Sequence, residues 1–268
     1  MPERTRRERI ISFDESLKIV VTPADAIERS IYLFGYHEYA AATAFAKMVR
    51  PGMTVVDAGA HAGQFTLIAA RRAAAAGRVF AIEPHPAAHA RLVRNLRLNG
   101  FKNVTALTVA LSDAPGPTVL HVPQWAGDNT GVASLQDRGT ASDSIEVEGM
   151  RLDDVLRNES RFDVLKADVE GAEARLFAGA QASLKRWKPA IIFEANDVFE
   201  RGALAGPAVG ALRELGYDVY GIDNAGGGVA LRRLAHADDP RRFREPWQAL
   251  NLVALHPDRA PEFLVNFA

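Results

Sequence analysis

The feature that most constrains this chain is the turn Asp57-Ala-Gly59-Ala-His61-Ala-Gly63, set directly after the apolar run Met53-Thr-Val-Val56. Further on, Phe80-Ala-Ile82 runs into a second acid, Glu83. A buried strand that turns at once into a helix demands backbone angles that glycine adopts at little cost, and a ligand can lie against such a turn only where no Cβ stands in the way. Gly59 and Gly63 fit those two demands. The spacing predicts a strand over 54–57, a helix over 64–75 and a strand over 78–83, the opening unit of a nucleoside-cofactor fold. That helix would present free N–H groups and the positive end of its dipole to an anionic group, and Glu83 would accept hydrogen bonds from ribose hydroxyls.

The turn also discriminates between cofactors. A dinucleotide fingerprint needs a middle glycine so that a pyrophosphate can approach, and His61 stands in its place. Asp57, two residues before the first glycine, would repel a pyrophosphate but can join a network around an ammonium group. S-adenosylmethionine carries that ammonium, a sulfonium and no phosphate, and is the favoured cofactor.

Strand and helix patterns alternate along most of the chain. A short strand over 17–21 and helical stretches over 24–48, interrupted by Gly35, form an N-terminal cap over residues 1–50. The main domain runs over 51–268, with helices at 87–99, 152–156, 172–184 and 208–215. Its further strands fall at 104–109, 164–167, 190–194, 217–222 and 251–256, with a hairpin strand at 229–231. Between about 114 and 150 the alternation breaks into short strands at 118–122 and 145–147 around a polar insertion, where Trp125, Asp128, Asn129 and Ser134 are candidates to shape a substrate pocket. Such alternation argues for an α/β fold, a Rossmann-like, mostly parallel sheet with helices on both faces, and ligands bind beyond the carboxyl ends of its strands. Asp57, Glu83, Asp168 and Glu194 all stand at or just past strand ends.

Composition narrows the partners. The 268 residues carry a formal net charge of −1, which makes no electrostatic case for nucleic acid or an anionic membrane, and a small-molecule substrate is expected. There is no cysteine, so disulfides, thiol nucleophiles and cysteine metal sites are excluded. The charged first residues and the lack of a long apolar run point to a soluble, cytoplasmic protein. An apolar N-terminal helix leaves an oligomer contact open.

A second constellation, Asp163-Val-Leu-Lys166-Ala-Asp168-Val-Glu170-Gly171-Ala-Glu173, supplies chemistry. Lys166 and Asp168 share strand parity and point to one side, while Glu170 sits on the following turn. Asp168 is the leading candidate for an acceptor-side carboxylate, Glu170 the second, and Lys166 an orienting partner. Methyl transfer is an in-line displacement, and a hydroxyl acceptor must also lose a proton. Glu173 is read as a helix-dipole residue. A divalent cation on Asp168, Glu170 or Glu194 is an alternative, with metal-free catalysis favoured because the three acids have no fixed ligand spacing. His37 is a candidate base near the pocket.

Several stretches together resemble the FkbM family of S-adenosylmethionine-dependent methyltransferases: the turn at 57–63, Ala81-Ile-Glu83-Pro84, Asn95-Leu-Arg-Leu-Asn99, Ala110-Leu-Ser112-Asp113, Leu152-Asp153, the 165–173 segment and Ile191-Ile-Phe-Glu194. The resemblance extends from about Gly35 to Glu194. It implies a class I methyltransferase fold, a seven-stranded sheet with one antiparallel strand, and O-methylation of a hydroxyl on a small-molecule or sugar-like metabolite, as in biosynthesis. By it, Asp57, Gly59, Gly63, Glu83 and Pro84 match cofactor positions, Ser112 and Asp113 an adenine contact, and Glu38 an acid reaching the methionine end. His61 replaces a frequent asparagine. The rival readings are an NAD(P)-dependent oxidoreductase and a non-catalytic cofactor-binding protein.

Overall fold

A computed structural model describes residues 7–123, 130–136, 141–195, 204, 206–224, 228–235 and 250–268. Trp125, Asp128 and Asn129, expected near the pocket, lie outside the described residues.

An eight-stranded sheet organises the chain. Its central strands are β3 (Thr54–Ala58), β4 (Arg78–Ile82), β5 (Val104–Leu107), β9 (Val164–Ala167) and β10 (Ala190–Glu194), followed by β11 (Asp218–Asp223), β12 (Ala230–Arg233) and β13 (Asn251–Leu255). The order across the sheet is β12-β11-β13-β10-β9-β3-β4-β5. β3 pairs in parallel with both β4 and β9, whereas β13 runs antiparallel between β10 and β11. Seven of these strands form the expected sheet with one antiparallel member. The eighth, β12, is an added edge: it pairs antiparallel with β11 and so continues the hairpin that the 229–231 pattern suggested.

The sheet is buried on both faces, which is why β3 reads as an unbroken apolar run ending in an acid. Alternate residues feed opposite cores: Val55 packs on one side with Phe45, Leu67 and Ile68, and Val56 on the other with Leu165, Phe177 and Leu184. Helices α3 (Gln64–Ala73) and α4 (Pro86–Asn99) connect the parallel strands on the first side.

The N-terminal hairpin, β1 (Arg9–Phe13) and β2 (Leu17–Val21), is docked on α4 by two asparagines one turn apart. Asn95 Oδ1 accepts the Val20 N–H at 2.8 Å, and the Asn95 amide donates to the Ala62 carbonyl at 2.8 Å. Asn99 Oδ1 accepts the Lys18 N–H at 2.9 Å, and its amide donates to the Lys18 carbonyl at 2.7 Å. The pair imitates a strand edge, and Asn95 also ties the hairpin to the glycine turn. Helix α1 (Ala26–Phe34) ends at Gly35, whose φ of 82° matches the expected interruption, and α2 (Tyr39–Met48) follows.

Three expectations are corrected. The 104–109 strand ends at Leu107, and Ala110–Leu111 (β6) lies outside the main sheet, paired with β8 (Ala141–Met150), which also forms a long antiparallel ladder with β7 (Gly116–Pro123). The 172–184 helix is two helices, Glu173–Ala178 and Gln181–Trp187, broken at Gly179, where a Cβ would lie 2.0 Å from the Ser112 carbonyl oxygen. The strand β1 is added at the start; most of it is exposed, so it carries no clear apolar alternation.

Candidate active site

Beyond the carboxyl ends of β3, β4 and β9 lies a cleft. Gly59, His61, Glu83, Pro84, Lys166, Asp168 and Glu170 all line it, so residues more than one hundred positions apart in the chain meet at one edge. Its remaining walls are largely apolar, with Ile27 and Ile31 from α1, Phe65 from α3, and Leu120 from β7.

Gly59 is required for a reason the sequence did not indicate. With φ at 76°, its missing Cβ would lie 1.7 Å from the Asp168 carbonyl oxygen. The two strand-end turns therefore touch backbone to backbone. Gly63, with φ at 99°, likewise makes room for protein, since a Cβ there would meet Leu92 Cδ1 at 2.7 Å. Gly63 does not line the cleft, and its role is to seat α4 against the turn.

Glu83 is buried at the end of β4 and holds the turn from the other side. One carboxylate oxygen accepts the His61 N–H and the other the His85 N–H, both at 2.8 Å. Burial raises its pKa, against the His61 charge and these two donors. Spare acceptor positions on the same oxygens suit hydroxyl donors.

Across the cleft, Lys166 and Asp168 confirm their strand parity: the ammonium lies 3.1 Å from Asp168 Oδ2. It also donates to the Gly59 carbonyl at 2.8 Å and stands 3.7 Å from Asp57 Oδ1. Burial disfavours the ammonium, but Asp168 and Asp57 outweigh that and hold its pKa above the ordinary value. Asp57 itself is fully buried, accepts the Thr66 hydroxyl at 2.5 Å, and does not line the cleft. It anchors Lys166 from below, and burial raises its pKa despite that ammonium.

Asp168, Glu170 and Glu194 bring one carboxylate oxygen each within 4.8 Å of one another. Glu194 is raised well above its usual value by burial and by Asp168 and Glu170 beside it. Three oxygens in this arrangement could ligate a hard cation, although the Lys166 ammonium already neutralises Asp168. Glu170 occupies the left-handed region, φ 54°. Glu173 accepts the Val169 and Gly171 N–H groups at 3.0 and 3.3 Å, which makes it the cap of this turn. Its burial pushes it up to about 7.

Other expected residues fall elsewhere. Glu38 is buried at the start of α2, also with positive φ, near the cleft but not in its lining. Ser112 and Asp113 do not line the cleft: Arg175 donates to Ser112 Oγ at 2.8 Å and to the largely exposed Asp113 at 2.9 Å. Val109, Ala110 and Leu111 reach the cleft in their stead, because Ser112 follows β6 into the smaller sheet, where its N–H donates to the Met150 carbonyl. His37 does line it; its backbone is gripped at both ends by the Gln64 amide, and burial lowers its pKa to about 4, against the nearby Asp168. Gln64, Asp25, Arg91 and Thr130, all near the cleft, carried no motif signal; only their partners, distant in sequence, reveal them.

A sheet with this order and an acid-and-glycine edge defines a class I, nucleoside-cofactor transferase fold. The model of the FkbM methyltransferase domain matches residues 57–219, and the chain belongs to that family of S-adenosylmethionine-dependent methyltransferases. Among solved structures, an FkbM methyltransferase from Methylobacillus flagellatus is similar at 16% identity and TM-score 0.44, over 85% of this chain and 59% of that one. An S-adenosylmethionine-dependent O-methyltransferase from Thermotoga maritima is similar at 14% and 0.46, over 92% and 77%. Fibrillarin from Aeropyrum pernix, with S-adenosylmethionine bound, is similar at 13% and 0.45, over 95% and 84%. No curated protein matches the chain. No helix among the described residues is long and apolar enough to cross a membrane.

Proposed function

We propose that this chain transfers a methyl group from S-adenosylmethionine to a hydroxyl oxygen of a small-molecule or sugar-like acceptor. The carrying observation is the placement of Asp168. It lines the cleft at a strand end, is held by Lys166 at 3.1 Å, and sits against the backbone of Gly59 in the first cofactor turn.

The residues present suit the cofactor. Buried Glu83 offers acceptors for ribose hydroxyls, Pro84 and the Gly59–His61 turn flank it, and the apolar side chains of Val109 and Leu111 suit a flat base. Glu38, a buried acid near the cleft, would answer the ammonium of the methionine end. When bound, S-adenosylmethionine supplies an electrophilic methyl carbon on a sulfonium.

The chain's own residues do the rest. Asp168 accepts the hydrogen bond of the acceptor hydroxyl and draws off its proton as the oxygen becomes a nucleophile, with Glu170 beside it as a second acceptor. Lys166, itself held by the Gly59 carbonyl and Asp57, fixes the Asp168 carboxylate and so sets where that hydroxyl is held. The largely apolar walls exclude water and favour a compact acceptor over an extended, charged one, in keeping with the net charge of −1. Because Lys166 already supplies the positive charge beside Asp168, a metal-free reaction is the simpler one, and activity that survives a chelator supports it.

Calorimetry with S-adenosylmethionine, followed by a mass-spectrometric search of metabolite extracts for a product heavier by one methylene, tests the reading. Absence of cofactor binding overturns it. Asp168→Asn keeps the shape and is expected to lower turnover about a hundred-fold or more while leaving cofactor affinity within a few-fold. Unchanged product formation would remove Asp168 from the mechanism. Nicotinamide-dependent turnover would establish the oxidoreductase alternative.

A further inference from the structure

A second buried network stands behind the cofactor turn and serves no part of the chemistry above. His61 Nε2 lies 3.2 Å from Asp25 Oδ2 and 2.9 Å from the Thr130 hydroxyl. Arg91 on α4 reaches the same group: its Nε is 2.6 Å from Glu28 Oε1, its terminal nitrogen 3.6 Å from Asp25, and it donates to the Thr130 hydroxyl. Asp25 also accepts the Thr130 N–H at 3.2 Å, while its other oxygen caps α1 through the Ile27 and Glu28 N–H groups. Asp25, Glu28 and His61 could geometrically hold a metal ion, but Arg91 already occupies the cationic place among them.

Two features give this network a bearing on the cleft. His61 has φ at 49°, a left-handed conformation that a bulky residue keeps only where its surroundings over-determine it, and its backbone N–H is the donor that orients Glu83. Thr130 lies in a strap whose described part, residues 130–136, runs from His61 to the acceptor-side turn. At its far end Ser134 donates to the Glu170 carbonyl at 2.7 Å and Gln136 to the Gly171 carbonyl, and Thr130, Ala133 and Leu135 line the cleft between.

We propose that Asp25, His61 and Arg91 are positioning residues for the methyl donor: by clamping the His61 ring they fix the backbone that orients Glu83, and they hold the Thr130 end of the strap against the cleft. Asp25 and Arg91 do not line the cleft, yet cofactor affinity depends on them. The inference rests on the reading of this cleft as the S-adenosylmethionine site.

The groups facing His61 are Asp25 and Glu28 from the cap, Glu83 and His85 after β4, Arg91 on α4, and His37 before α2. Burial disfavours the charged ring, but the hydrogen bond and charge of Asp25, with Glu83 and Glu28, outweigh it and raise the His61 pKa. The clamp is therefore full when His61 is protonated and weakens as pH rises through that raised pKa.

Calorimetric titration of the full chain with S-adenosylmethionine, repeated across pH, is the test. Asp25→Asn keeps the oxygen that caps α1 and is expected to weaken binding about ten-fold at neutral pH, with Thr130→Val weakening it about three-fold. Wild-type affinity should step down on the alkaline side; the step should move to lower pH in Asp25→Asn and vanish in His61→Gln. Asp163→Asn, a buried acid at the opposite ends of the strands, is the control. The inference is overturned if Asp25→Asn and Thr130→Val bind within two-fold of wild type, if the step persists in His61→Gln, or if Asp163→Asn weakens binding as much. Lack of binding by the wild type would instead overturn the methyl-donor reading itself.

Discussion

Two buried charged clusters flank the cleft, and they are built in opposite ways. Asp57, Lys166 and Asp168 stand on adjacent strands, so the parallel pairing of β3 with β9 brings Asp57 level with Lys166 and strand parity does the rest. Asp25, Glu28, His61, Arg91 and Thr130 come from a loop, two helices, a turn and an insertion, joined only where side chains meet. Both clusters surround a buried cation with carboxylates, as burial of charge demands. The first is part of the sheet and, in the function proposed above, carries the chemistry; the second is a clasp between the sheet and what covers it.

The sheet-borne cluster should be the more brittle. Gly59→Ala is expected to have the largest effect, a destabilisation above about 4 kcal/mol, because a Cβ 1.7 Å from the Asp168 carbonyl forces apart two turns of the central sheet. Chemical denaturation measures it, and a variant as stable as wild type would show that the turns do not touch. Lys166→Met should cost about 3–5 kcal/mol by leaving Asp57 buried without its ammonium. Adding Asp57→Asn to it should recover much of that loss, and a double variant no more stable than the single one would break the pairing.

The clasp should show itself in pH dependence. Burial opposes ionisation of Asp25, but the His61 hydrogen bond and charge lower its pKa to about 2, so its contribution is present above the usual 3.8 and is lost as pH falls toward 2. His61, with its pKa raised from 6.5, contributes below that value and loses its contribution as pH rises past the raised one. The melting temperature of wild type relative to Asp25→Asn should therefore differ most between pH 3.8 and 6.5 and converge on either side. A difference that grows steadily with alkaline pH contradicts the pairing. The smallest effect is expected at Asp113→Ala, within about 0.5 kcal/mol in stability and two-fold in cofactor affinity, since this carboxylate is exposed and meets Arg175 outside the cleft. A ten-fold loss of affinity there would restore the adenine contact that its motif implies.

Legibility followed the same division. The glycine turn, Glu83 and the Lys166–Asp168 pair could be read because strand ends share an edge and alternate residues share a side. Ser112 and Asp113 stand outside the cleft lining, which could not be read because nothing local announces that β6 leaves the main sheet for β8. The break at Gly179 was missed for a related reason: it answers the approach of Ser112, which is distant in sequence. Asn95 and Asn99 lie in a recognisable motif, yet their work as a false strand edge appears only once β2 is seen beside α4.

By itself the sequence determined the alternating α/β sheet, the edge at which its acids gather, and the exclusion of thiol chemistry, because periodicity and residue type act locally. Only the tertiary structure decided that Gly59 bears on Asp168, that Asp57 supports Lys166 from below, and that His61 is clasped by the cap. Those contacts depend on distances between segments far apart in the chain, which packing sets and local pattern does not encode.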